Sequence, residues 1–116
     1  MTSLLQALEQ FKNQTNGHPR MASLIKGWEP TIVVEASDSG TTRYLPVRDC
    51  RIETVLSECR EGKHLVHLRA NEDVLTAVFE GRTNPASVFL DGTLEIFAND
   101  KDHVKLDAIS LVLWGA

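Results

Sequence analysis

Cysteine is scarce in this 116-residue chain: there are two, Cys50 and Cys59. Neither stands in a C-x-x-C pair or at metal-ligand spacing, which excludes a disulfide-stapled mini-protein and a cysteine-built metal cage. Bridging the two would need opposed strands with Cα atoms within about 7 Å. The start Met1-Thr2-Ser3-Leu4-Leu5 lacks the basic region of a secretory leader, so both are read as reduced thiols of a cytoplasmic protein. Basic charge is also in deficit. Twelve Lys and Arg face sixteen Asp and Glu, for a net charge of −4 and a pI near 5.5, without the positive footprint that nucleic acid demands. The longest uninterrupted apolar run is Leu111 to Trp114, far short of the roughly 20 residues that cross a bilayer. Gly-rich phosphate loops and Walker motifs are missing, and Ser87 lies in no G-x-S-x-G elbow. The chain ends at Gly115-Ala116 without a peroxisomal tripeptide.

What is present suits a folded domain. Apolar residues make up 42% and charged residues 24%, close to the globular average, and the length fits one domain over residues 1–116. Ser3 with Gln6 spells a capping box, and Leu4, Leu5, Leu8 and Phe11 recur at helical spacing up to Lys12 or Asn13. Asn16-Gly17-His18-Pro19 turns the chain, and a short apolar segment, Met21 to Trp28, leads to Pro30. From Thr31 the character is β: Ile32, Val33 and Val34, a turn at Ser37 to Gly40, then Thr41 to Val47. Pro46, lacking a donor, belongs at an edge or a bulge. Ile52 to Leu56 continues as strand, Glu61-Gly62 turns, and His64 to Arg69 alternates. These four strands are read as antiparallel neighbours.

Punctuation is clearer in the second half. Asn71 caps a helix with Glu72 and Asp73 in its first turn, Val74, Leu75, Val78 and Phe79 along one face, and Gly81 at its end. Asn84-Pro85 opens a second, short helix that carries Val88 and Phe89 inward and stops at Gly92. Thr93 to Ala98 alternates as a strand, and Asn99-Asp100 caps a last helix from about Lys101 to Leu113. Val104, Leu106, Ala108, Ile109, Leu111, Val112, Leu113 and Trp114 leave that helix almost no polar face in its second half, so something must cover it.

The run Asn84-Pro85-Ala86-Ser87-Val88-Phe89-Leu90-Asp91-Gly92-Thr93-Leu94-Glu95-Ile96, preceded by a helix ending in Gly81 and followed by an apolar last helix, resembles the sterol carrier protein 2 family. The likeness is strongest over residues 71–113. It implies an α+β fold in one domain, with a mainly antiparallel sheet of about five strands covered by helices and an apolar tunnel between them. It also implies non-enzymatic binding or transfer of a hydrophobic ligand: a fatty acyl, sterol-like or isoprenoid quinone compound. At Thr93 and Glu95, where that family often carries Lys, and at Ala98, where it often carries Gly, the chain departs from the pattern. Attraction to anionic membranes is therefore not carried over.

A lipid site needs concave apolar walls and few polar groups. The inner helix faces supply Leu75, Val78, Phe79, Phe89, Ile109, Leu113 and Trp114 as ligand-binding candidates. A dry hollow of about 400 Å³ would cost roughly 10 kcal/mol at about 24 cal/mol per Å³, so the site should be filled, collapsed or covered by a partner. The alternative use of the same surface is docking, on a second copy of the chain or on a partner enzyme. His64 and His67 face opposite sides of their strand and cannot share a metal. His18 and His103 have no evident proton-transfer partner. Arg48, Asp49, Arg51 and Glu53 surround Cys50 without a histidine, as on a solvated face. No catalytic residue, metal or cofactor is assigned.

Overall fold

The computed structural model describes residues 3–58 and 64–115. Helix α1, Leu4–Gly17, starts where the sequence places it: the Ser3 hydroxyl accepts from the Gln6 amide at 3.2 Å and Gln6 Oε1 accepts from the Ser3 amide at 2.9 Å. It runs past the expected end at Lys12 or Asn13. Asn16 clamps its last turn to the sheet, exchanging two 2.8 Å hydrogen bonds with the backbone of Ile52. A single-turn helix α2, Met21–Leu24, follows. Then come β1 (Thr31–Ala36), β2 (Thr41–Arg48), β3 (Arg51–Ile52) and β4 (Leu65–Ala70).

The sheet has the order β3-β2-β1-β4-β5, with β5 spanning Glu95–Phe97. The β1–β2, β2–β3 and β4–β5 pairs are antiparallel, but β4 lies parallel to β1, with Ile32 opposite Val66 and Val34 opposite Leu68. The expectation of four antiparallel strands is thereby corrected. Side-chain alternation encodes which face is buried, and it reads the same in either strand direction.

Two strands are shorter than the sequence suggests, each for a local reason. Between the Val47–Ile52 pair and the isolated Tyr44–Leu56 bridge the register slips by one residue, a β-bulge. It confines β3 to Arg51–Ile52, where the sequence alone suggests a continuous strand over Ile52 to Leu56. Pro46 faces that slip, so its missing N–H costs no ladder bond, although β2 itself is an interior strand. At β5 the Asp91 carboxylate accepts from the Thr93 amide at 2.8 Å, and this turn delays pairing until Glu95. The Thr93 hydroxyl, and then its amide, hold the Asp91 carboxyl below its ordinary pKa.

Helix α3, Glu72–Phe79, is capped by Asn71, which accepts from the Val74 amide at 2.9 Å. Helix α4, Pro85–Leu90, is capped by Asn84 with Pro85 at its first position. Helix α5, Asp100–Trp114, is capped by Asn99, which accepts from the Asp102 amide at 2.8 Å. The core joins Leu4, Leu8 and Phe11 of α1, Met21 and Ile25, Leu75 and Phe79 of α3, and Ile109 of α5 to the sheet residues Ile32, Val34, Leu45, Val47, Val66 and Leu68. Each such side chain contributes about 1.5–3 kcal/mol when fully buried. The other sheet face carries a polar network in which Glu35 accepts from His67 at 2.8 Å and pairs with Arg69 at 3.3 Å.

Helix α4 is the exception to this packing. It buries no residue completely, and its Val88 alone is half-buried against the core. Phe89, read as inward-pointing, is 40% exposed and its neighbour Leu90 is 83% exposed. The last helix is covered in part: Ile109 is buried, and Leu106, Val112, Leu113 and Trp114 pack against the core, while Val104 is 68% exposed and Leu111 60%. Among the described residues no helix is long and apolar enough to cross a membrane.

Candidate functional site

Because α4 stands off the sheet, a cavity of about 260 Å³ remains between α3, α4, α5 and the β4–β5 edge. Its buried floor is built by Leu68 of β4, Leu94, Ile109 of α5, and Phe11 and Phe79. At this inner end Phe11 packs edge-on to Phe79, with ring centroids 5.0 Å apart, and lies 5.9 Å from the Trp114 ring. The opening lies at the exposed end, between Pro85, Ala86, Phe89 and Leu90 on α4 and His103 and Asp107 on α5. There the His103 imidazole packs against Phe89 at 5.4 Å.

Five of the seven ligand-binding candidates line this cavity: Val78, Phe79, Phe89, Ile109 and Trp114. Leu75 and Leu113 do not. Leu75 sits on the same α3 stripe but is wholly buried in the main core. Leu113 packs half-buried against that core. The sequence reading missed Phe11, Leu68, Leu94, Ile96 and Leu106 on the walls and His103 and Asp107 at the mouth. Periodicity selects a buried stripe on one element, and these residues meet only through the arrangement of several.

Two polar features border the apolar walls. Ser110 is buried, and its hydroxyl donates to the Asp107 carbonyl at 3.0 Å within the helix. Trp114 Nε1 is buried without an acceptor, because the indole edge lies flat on Gly81, where an added Cβ would come within 2.6 Å of the ring.

Away from the cavity, Asp102 is buried and accepts from Trp28 Nε1 at 2.8 Å, with His64 Nε2 2.9 Å from its other oxygen. This pair has the look of a catalytic dyad, yet the carboxylate is shared between two ring nitrogens and no nucleophile stands beside the imidazole among the described residues. It acts as a structural clamp on the first turn of α5. His64 thus reaches the helix side and His67 the Glu35 side of the sheet. Among the described residues no three His, Cys, Asp or Glu side chains gather as metal ligands. Cys50 is half-buried in the β2–β3 turn with its thiol free. Cys59, and the Glu61-Gly62 turn read from the sequence, lie outside the described residues.

No family model and no curated protein matches the sequence. Solved structures do match. A protein described as UbiJ-SCP2, a ubiquinone synthesis protein, is 18% identical over 88% of this chain and 87% of its own, with a TM-score of 0.66. Palmitated SCP2L2 from Aedes aegypti is 11% identical over 94% of this chain and 95% of its own, at 0.61. The inverting sec-alkylsulfatase Pisa1 from Pseudomonas sp. matches 79% of this chain at 16% identity and 0.58, but the chain spans only 14% of that enzyme's length. These likenesses define the architecture: the chain has the sterol carrier protein 2 fold. At such identities they define the fold alone.

Proposed function

We propose that this domain binds a hydrophobic small molecule, without chemical conversion, in the cavity between α3, α4, α5 and the sheet. The single observation that carries the proposal is an apolar cavity of about 260 Å³ in a fold whose solved examples include a palmitated protein and a ubiquinone synthesis protein. Left sealed and dry, a hollow of that size would cost about 6 kcal/mol at about 24 cal/mol per Å³, a large share of a domain's stability. Each ligand methylene placed there returns about 0.8 kcal/mol. The ligand is then an acyl, sterol-like or isoprenoid quinone compound, and Val78, Phe79, Phe89, Ile109 and Trp114 are its contacts. The domain works in the cytoplasm, where a free thiol such as Cys50 persists. It needs no metal or cofactor for this role.

Native mass spectrometry of freshly purified protein, followed by solvent extraction, tests the reading. A stoichiometric adduct of lipid mass is the expected result. Phe89→Trp and Ile109→Trp narrow the cavity at a strain of about 1–3 kcal/mol and should abolish the adduct while circular dichroism stays native. Normal binding by both variants would put the site elsewhere. A second reading is favoured by the exposed Leu90, Val104 and Leu111, a surface that a second copy or a partner enzyme would cover. A mass that stays monomeric by light scattering at high concentration counts against self-association.

A further inference from the structure

The mouth of the cavity is chemically one-sided. Among the described residues no Lys or Arg lines it, and its only charged or titratable members are His103 and Asp107. These are four residues apart on α5, so they share one face of the helix. The nearby cation of that helix, Lys105, is directed elsewhere and donates to the Leu24 carbonyl at 2.8 Å. Lys101, in the first turn, lies outside the lining. Ser110, the remaining hydroxyl on the wall, is occupied by the Asp107 carbonyl. The Asp107 carboxylate has no hydrogen-bond or ion-pair partner among the described residues, and the His103 ring is held in place by Phe89.

We infer that the cavity selects a long-chain ligand whose head is a neutral hydroxyl, an alcohol or a phenol, over one that ends in a carboxylate or phosphate. This rests on the ligand-binding reading of the same cavity and names its ligand class. A carboxylate is acceptor-only, so a head group that replaces water beside Asp107 must donate to it. The imidazole donates or accepts according to its tautomer. A hydroxyl does both at once and satisfies the pair, donating to Asp107 and accepting from His103. An anionic head with its chain in the apolar floor would be held close to Asp107 with no cation to offset it. Like charges about 4–6 Å apart in a half-solvated rim weaken binding by about tenfold. An ammonium head can donate to Asp107 and to the unprotonated His103 nitrogen, but to reach them it gives up a stronger hydration shell than a hydroxyl does.

The test is a matched set of ligands with one chain and three heads: 1-hexadecanol, palmitate and hexadecylamine. They are titrated into the full chain at pH 8, above the ordinary imidazole range, and followed by tryptophan fluorescence. Hexadecanol should bind about tenfold tighter than palmitate. Asp107→Asn should bring the two to near parity, and Asp107→Lys, at an exposed position, should reverse the order. Equal affinities for hexadecanol and palmitate that Asp107→Asn leaves unchanged would overturn the head-group inference while leaving the lipid site standing. So would hexadecylamine binding tighter than hexadecanol. Binding of none of the three, or binding that Ile109→Trp does not disturb, would remove the site itself.

Discussion

Gly81 performs two tasks that no other residue can combine. It ends α3 in the left-handed conformation, at φ +77°, and it lets the Trp114 ring lie on its Cα as part of the cavity wall. A side chain there meets both objections: the left-handed backbone costs an L residue about 1–2 kcal/mol, and the Cβ would fall 2.6 Å from Trp114 Cδ1 and 2.9 Å from Nε1. Gly81→Ala should therefore cost about 2–4 kcal/mol in urea unfolding. The two parts separate in a double-mutant cycle with Trp114→Leu, which replaces the rigid ring by a chain able to rotate. In that background the alanine should cost only its backbone share, about 1–2 kcal/mol. Strict additivity would mean that the indole is not what confines position 81. The pairing also accounts for the orphaned Trp114 Nε1, whose lost hydrogen bond is set against the aromatic packing of Phe11 and Phe79.

At the scale of elements, α5 is clamped at its first turn and packed against the core along one side of its second half. Asp102 in its first turn receives Trp28 and His64, from segments 74 and 38 residues away in the chain. Its second half meanwhile leaves Leu111 exposed. Asp102→Ala would strand the half-buried Trp28 N–H and release the helix start from His64, just before β4, at about 2–3 kcal/mol. Equilibrium unfolding measures that loss, and a change within about 0.5 kcal/mol would refute the clamp. The helix itself was legible from Asn99 and the apolar run, as were α3 and α4 from Asn71, Gly81 and Asn84-Pro85, because caps and breakers act within one turn of the chain. The clamp was not legible, since nothing local in Asp102 distinguishes it from the exposed Asp100 two residues earlier. The parallel course of β4 was hidden for a related reason: Val66 and Leu68 alternate alike in either direction. For the cavity, the helix stripes named Phe79 and Ile109, but Phe11 and Leu94 became wall residues only because α4 stays clear of the sheet.

For the whole molecule, the two uses of the apolar helical surface make opposite thermodynamic demands. A filled cavity stabilises the native state by mass action with the ligand, by about 2.7 kcal/mol at a concentration one hundred times Kd. In a domain of this size that raises Tm by roughly 10 °C. Self-association instead makes Tm climb with protein concentration and leaves it indifferent to lipid. Melting the delipidated chain across a hundredfold range of its own concentration, with and without saturating 1-hexadecanol, places the two demands on separate axes. The lipid axis should carry the shift, and Ile109→Trp, whose ring fills the space, should melt at a temperature that lipid no longer moves. A Tm that rose with protein concentration alone would assign Leu90, Val104 and Leu111 to a partner, and would make the cavity a by-product of how α4 is held away from the sheet.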